Sequence, residues 1–330
     1  MIRSTLTRKI AGVLLLLASP LGVEAQPAAR VFRIGLLGTV PLSEPGAARI
    51  WGGFFEELER LGYRDGENLV IEGRYSEGRP ERLPALAAEL VRLKVDVIVA
   101  AAYTPRAAKE ATSTIPIVMT NNGDPVRYGI VASLARPGAN VTGMSTLNLE
   151  VVGKLLQLLK EAIPRLSRVA VLVNPANADY LPSVRHAETA ARALKVHLQI
   201  IEARAPTDFA AAYSAATKAS AGALVVPGDP MFFGERRQLV ALAAKNRLPL
   251  VANQSEFPQA GALLSYGTDQ RDSFRRAASF VDRILKGTRP GDLPVEQATK
   301  FELTVNLRTA KILAVTVSPT VLAQADRVID

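Results

Sequence analysis

The 330-residue sequence contains no cysteine. That absence excludes a disulfide framework and a thiolate metal site. It also leaves no residue to carry a lipid anchor, so the core alone must hold the fold. Histidine is nearly as scarce. His186 and His197 are the only two and fall in different expected elements, so neither a metal site nor a cofactor is expected. Catalytic and nucleotide-binding motifs are missing as well: there is no G-x-S-x-G elbow, P-loop or G-x-G-x-x-G, and Gly35 and Gly38 lack the dinucleotide spacing. No dense block of Lys and Arg with interleaved aromatics occurs, and charges of both signs alternate along the expected helices, which argues against a nucleic-acid partner. The N-terminal apolar run, residues 10–17, is well short of the roughly 20 residues that span a membrane.

That run reads instead as the apolar region of an export leader. Arg3, Arg8 and Lys9 precede it, and Val23, Glu24 and Ala25 give a small-x-small cleavage site, so residues 1–25 are expected to be removed and the mature chain to begin at Gln26. The leader carries three basic residues against Glu24, so its loss takes the net charge from +9 to +7. Export without cysteine implies a soluble periplasmic monomer. A mature chain of roughly 300 residues is long enough for two domains.

The rest is legible from the stretch 94–122. Residues 95–101 are a continuous apolar run of strand length, rich in β-branched side chains, which suits a parallel strand covered on both faces. Thr104 and Pro105 then read as N-cap and first helical position. The helix ends near 113, and the apolar run 115–119 ends in Thr120, Asn121 and Asn122. This is a β-α-β unit with its polar residues at the carboxyl ends of strands, where open α/β sheets bind ligands.

The same alternation runs along the chain. Residues 31–38 predict a strand that exits at Gly38, Thr39 and Val40; a helix carries Ile50, Phe54, Leu58 and Leu61, with Trp51 read chiefly as core and secondarily as a wall of a site. Further strands are expected at 68–75 and 141–144, with helices at 80–94 and from Asp124 to about 134. After a helix at 150–163 the pattern restarts. Strands are expected at 167–173, 197–202, 223–227 and 248–252 with helices between them, one of them from Asp229 to 246. A tail of strand, helix, strand and short helix (262–266, 269–286, 301–306, 307–314) is too small for a third core and must complete the two sheets. The expected fold is α/β: two doubly wound parallel-sheet lobes, 31–146 with 266–290 and 147–265 with 291–330, joined by a hinge of several crossings.

Four strand exits share one plan, a capping side chain before proline: Thr104, Asp124, Asn174 and Asp229. Each taken singly need only start a helix. Together they predict helix N-termini and carboxylates converging on one cleft, donors for an anionic group beside acceptors for an ammonium. Thr39, Tyr103, Asn121, Asn253 and Tyr266 lie at similar exits, completing the candidate ligand-binding set.

Several stretches resemble a known family: LAAELVRLKVDVIVA (86–100), ATSTIPIV (111–118), GDPV (123–126), GIVASLARPGANVTG (129–143), SRVAVLVNPAN (167–177) and LPVEQATKFELTVNLRTAK (293–311). They are similar to ABC-transporter substrate-binding proteins of the tryptophan-binding TrpX-like group, which have the type I periplasmic-binding-protein fold. The resemblance implies a small solute, an amino acid or related carboxylate, captured between closing lobes and presented to an inner-membrane permease driven by an ATPase. It places Tyr103, Thr104, Asn121 and Asp124 in the cleft of the first lobe and Asn174, Asp229 and Asn253 in that of the second. Two other readings stay open. One is a ligand-sensing partner of a membrane receptor; the other is a periplasmic hydrolase or isomerase using Asp124 with Asp229 as an acid–base pair.

Overall fold

A computed structural model describes residues 30–146, 148–177 and 180–330. The expected leader, residues 1–25, lies outside them.

The first sheet grows from β1 (Phe32–Gly38), followed by α1 (Pro45–Arg60), β2 (Leu69–Tyr75), α2 (Leu83–Arg92), β3 (Val97–Ala101), α3 (Pro105–Ala111), β4 (Ile117–Asn122) and β5 (Val141–Ser145). All five residues of β3 are buried, as a strand covered on both faces requires. α1 starts where its sequence says it should: the Glu44 side chain accepts from Ala47 N at 3.0 Å and Pro45 occupies the first turn. Its buried stripe is Ile50, Trp51, Phe54 and Leu58.

The chain then enters a second sheet through α4 (Asn148–Ala162), β6 (Arg168–Val173), α5 (Tyr180–Ala193), β7 (His197–Glu202), α6 (Phe209–Lys218), β8 (Leu224–Val226), α7 (Pro230–Gly234), α8 (Arg236–Lys245), β9 (Leu250–Ala252), α9 (Glu256–Ala260) and β10 (Leu264–Thr268). It returns as α10 (Gln270–Leu285) and β11 (Glu296–Gln297), and ends in β12 (Phe301–Asn306), α11 (Leu307–Ile312), α12 (Pro319–Gln324) and β13 (Arg327–Ile329). The strand orders are β11-β5-β4-β3-β1-β2 and β13-β12-β10-β9-β8-β6-β7. Every pairing is parallel except β10 with β12. Helices cover both faces of each sheet, so the core forms two apolar layers per lobe. The two doubly wound lobes expected from the sequence are present.

Three details depart from expectation. No helix forms over 124–134: the segment is a run of turns, with Gly129 at φ +65° and Ile130 N bonded back to Pro125 O at 2.8 Å. The expected helix from Asp229 to 246 is broken into α7 and α8 at Glu235. The tail is shared differently from the expected division. α10 packs on α1 so closely that a Cβ on Gly53 would lie 2.5 Å from Arg271 O, and β11 pairs with β5, which places residues 296–297 in the first sheet rather than with the second lobe. The Thr142 hydroxyl fixes this return by donating to Leu293 O at 2.6 Å. The backbone therefore passes between sheets near 146, 269 and 299.

Candidate functional site

In each sheet the strand order reverses once, between β1 and β3 in the first and between β6 and β8 in the second. Ligands of open α/β sheets sit in the crevice outside the carboxyl ends of such strands. Both crevices open onto one cavity of about 160 Å³. That is an order of magnitude more than the ~15 Å³ one water needs by the same measure. From the first sheet it is lined by Gly38 ending β1 and Thr39 after it, Ala102 and Tyr103 after β3, and Asn121 and Asn122 ending β4; from the second by Gly228 and Asp229 after β8, and Asn253 and Gln254 after β9.

The backbone is bent to present these groups. Ala102 has φ +60° and Asn121 φ +53°, both in the left-handed region that side chains avoid. Asn121 sits in a register shift between β4 and β5, a bulge that re-aims its side chain. Asn122 supports Ala102: its Nδ2 donates to Ala102 O at 2.9 Å, leaving its own Oδ1 without a partner among the described residues. Gly228 makes room on the opposite side, since a Cβ there would lie 2.5 Å from Asn253 Nδ2.

Asp229 is the buried charge. Its Oδ1 caps α7 by accepting from Met231 N at 2.8 Å and Phe232 N at 3.2 Å; its Oδ2 accepts from Asn177 Nδ2 at 2.9 Å and Asn174 Nδ2 at 3.1 Å. Burial pushes the pKa of this carboxyl up, and the four donors pull against that rise without cancelling it. Arg106 also lines the cavity, but it is exposed and paired with Glu110 at 2.9 Å, so its charge stands at the mouth.

The polar atoms inside are under-used. Asn121 Oδ1, Asn253 Oδ1, Gln254 Oε1 and Tyr128 OH are buried and have no hydrogen-bond partner among the described residues. Buried polar atoms normally find partners, so this cluster is fitted to a polar guest. Across from it stands an apolar wall of Ile50, Trp51, Phe233 and Phe274, with Trp51 and Phe274 edge to face at 4.7 Å. The wall draws on both lobes, because Phe233 of α7 packs into the apolar layer of the first lobe. Two ion pairs bridge the lobes beside it: Glu44 with Arg236 at 2.6 Å, and Arg49 with Glu256 at 2.5 Å. The cleft is shut.

Of the residues singled out from the sequence, Thr39, Tyr103, Asn121, Asp229 and Asn253 line the cavity. Burial pushes the Tyr103 phenol's pKa up. Thr104 does not line it: the hydroxyl donates to Leu37 O at 2.9 Å instead of capping α3, and the residue is fully buried. Asp124 accepts from Arg127 N at 3.0 Å within the turns that replace the expected helix, so no acid–base pair with Asp229 is assembled around the cavity. Asn174 stands behind Asp229 as its donor. Tyr266 stacks on Phe301 at 5.6 Å away from the cavity.

The ligand-binding set chosen from the sequence omits Asn122, Asn177, Gln254, Gln270 and the rings of Phe233 and Phe274, all of which line the cavity. Asn122 and Gln254 directly follow residues in that set, a signal that was available. Trp51 is both things considered for it, 4 % exposed and a wall of the cavity.

Two parallel-sheet lobes with a cavity at their strand ends define a protein of the type I periplasmic-binding-protein fold. Residues 37–329 match the family described as ABC transporter substrate binding protein, and the chain belongs to that family. A tyrosine-binding protein of Clostridioides difficile (strain R20291) is 30% identical over 266 residues, covering 79% of this chain and 75% of that protein. Among solved structures, a conserved domain protein from Vibrio cholerae aligns with a TM-score of 0.85 at 27% identity, over 91% of this chain and 100% of the other. An ABC domain from Streptococcus pneumonia in complex with L-Trp aligns with a TM-score of 0.83 at 24% identity, over the same shares. Among the described residues no helix is long and apolar enough to cross a membrane.

Proposed function

We propose that this protein is the exported solute-binding component of an ABC importer and that it captures a free amino acid by lobe closure, for delivery to a permease and its ATPase. The observation that carries this reading is the cavity between the two sets of strand ends. A buried carboxylate, Asp229, faces unpartnered side-chain amides from both lobes and an aromatic wall. A zwitterion matches that set. The ammonium is drawn to Asp229 and to the amide oxygens of Asn121 and Asn253, the carboxylate can take donors from Thr39 and the amide N–H groups, and the side chain lies against Trp51 and Phe274. Thr104 has no part in this pose, because its hydroxyl is committed to Leu37 O. The names of the tyrosine-binding relative and the L-Trp complex support the same class of solute.

Calorimetric titration of the purified protein with the free amino acids tests the reading. At least one, with an apolar or aromatic side chain, is expected to bind with a micromolar or lower Kd, and its N-acetyl derivative to bind at least tenfold more weakly. Absence of heat across the whole panel, or equal binding of the acetylated compound, would overturn it.

A further inference from the structure

The edge of the second sheet opposite the cavity is lined with cations. Strands β6, β7, β8 and β9 run parallel toward the cavity, so the residues just before them share the far edge: Arg165 and Arg168 at β6, Arg192 and Lys195 before β7, Lys218 before β8, and Lys245 and Arg247 before β9. β12 runs the other way and delivers Arg308 and Lys311 of α11 to the same edge, where Asn306 N meets Leu263 O at 2.8 Å. All nine side chains are exposed. The row follows the sheet order from α11 across β9, β8 and β6 to β7.

Cations in the last turn of a helix offset its dipole, and that alone accounts for a basic residue at each position. It does not account for the missing acids. Across the five segments that build the edge, 160–168, 192–197, 217–224, 244–250 and 307–314, Glu161 is the only acidic residue. In the first lobe the ends of α1 and α10 carry their own counter-ions, Arg60 with Glu57 at 2.6 Å, Arg64 with Glu67 at 3.5 Å, Lys286 with Asp282 at 2.7 Å and Arg289 with Asp292 at 2.8 Å, whereas Arg92 and Lys94 at the end of α2 form no ion pair among the described residues. Among the described residues, the seven cations preceding β6 to β9 form no ion pair with a carboxylate. At the α11 end of the edge Asp330 follows β13, and Arg308 Nε donates to its carbonyl oxygen, so the acid-poor part of the edge is the stretch from β9 to β7.

We propose that this edge docks on an anionic phospholipid bilayer. The row of seven Lys and Arg before β6 to β9, exposed and without carboxylate partners among the described residues, matches a diffuse negative surface. The five segments contain no Phe, Tyr or Trp on which a base could stack, which argues against single-stranded nucleic acid. Ile312, 78% exposed beside Lys311, supplies an apolar side chain able to sit among headgroups. With no cysteine to carry a lipid, reversible attraction to the bilayer would keep such a protein close to a membrane-embedded transporter. The inference takes its location from the export reading above but does not depend on which solute is bound.

Cosedimentation of the processed protein with vesicles tests it. Binding is expected on mixed phosphatidylcholine and phosphatidylglycerol vesicles and not on phosphatidylcholine alone, and it should fall steeply as ionic strength rises toward about 0.15 M. The variant carrying Arg165→Glu, Lys195→Glu, Lys218→Glu and Lys245→Glu should bind the anionic vesicles about a hundredfold more weakly or worse. Should that variant fail to fold, as judged by its thermal transition, the same four positions changed to Gln serve instead. Solute affinity is expected to be the same in both variants as in the parent, so loss of solute binding by the parent tests the importer reading separately. Equal binding to neutral vesicles, undiminished binding of the variants, or tighter binding to duplex DNA than to anionic vesicles at matched salt would each overturn the proposal.

Discussion

At the scale of single residues, the proposed recognition of an ammonium turns on Asp229, whose surroundings oppose one another. Burial disfavours its charge, while two backbone N–H groups and two asparagine amides favour it. All four acceptor directions of the carboxylate are thereby taken up by the protein, so it offers a solute chiefly its field. Replacing it in Asp229→Ala should weaken an ammonium-bearing solute by ~1.5–3 kcal/mol, about 10- to 150-fold in Kd by calorimetry. Unchanged affinity would remove Asp229 from the site. The pH dependence has a fixed sign. The folded pKa is raised above the unfolded 3.8, so between those two values the folded state holds a proton that the unfolded state has lost. This carboxyl's contribution to stability is therefore greatest at acid pH and declines as pH rises through that window. A bound ammonium reverses the preference, so solute affinity should fall as pH drops through the raised pKa, with proton release on binding above the bound value. Calorimetry in buffers of different ionisation enthalpy checks this; proton uptake on binding would contradict it. The place of Asp229, Asn121 and Asn253 at the cavity was legible in the sequence because Asn121 lies at the end of β4, Asn253 directly after β9 and Asp229 three residues after β8, and strand ends are where α/β sheets open their crevices. Thr104 met the same criterion, but whether its hydroxyl turns to its own helix or across to Leu37 depends on a neighbouring strand 67 positions away. Local pattern does not contain that choice.

At the scale of elements, the lip of the cavity is formed where the start of α1 meets α7 and α8. Gly46 permits the approach: a Cβ there would lie 2.9 Å from Arg236 Nη2 and 3.1 Å from Phe233 Cζ. Arg236 lies over the Phe233 ring at 4.9 Å and donates to Phe233 O at 2.9 Å, which fixes the ring that closes the apolar wall. The Glu44 carboxyl is held below its ordinary pKa: burial raises it, but bonding and charge attraction from Arg236, together with the backbone N–H groups of Ala47 and Gly46, outweigh that. With side-chain exposures of 6% for Arg236 and 22% for Glu44, the pair is neither fully screened nor fully desolvated. Glu44→Arg or Arg236→Glu alone should weaken the solute by ~1–2 kcal/mol, about 5- to 30-fold, because each places like charges across the closing surface. The double exchange should recover most of that loss in a double-mutant cycle, and additive losses would mean that the pair does not contribute to closure. Glu44 as a helix cap could have been inferred from its place before Pro45; its second partner could not, since nothing local pairs residue 44 with residue 236. The expected helix after Asp124 illustrates the converse. The capping signal was real, since Asp124 Oδ1 does accept from Arg127 N, but Gly129 at φ +65° ends the turn before a helix can propagate.

At the scale of the whole molecule, the two-sheet plan was legible because strand and helix alternate regularly and the alternation restarts near 167. The division of the tail was less so. β11 is only two residues long, too short for periodicity to reveal, and its membership of the first sheet is decided by pairing with Ser145 and Met144. With the chain passing three times between sheets and α10 packed against α1, neither lobe is a continuous segment, so the lobes cannot be separated by a single cut. The crossings bear a polar fastening: Lys300 pairs with Asp269 at 2.8 Å and Asp269 N donates to Lys300 O at 2.9 Å, joining the second and third passages side by side. Interlocked lobes should unfold together, and a solute that touches both should stabilise both. At a solute concentration a hundredfold above Kd the gain is about 2.7 kcal/mol. For a chain of this size that should raise Tm by roughly 4 °C in one scanning-calorimetry transition. Two resolved transitions, with only one shifted by the solute, would place the binding energy in a single lobe and contradict capture by closure.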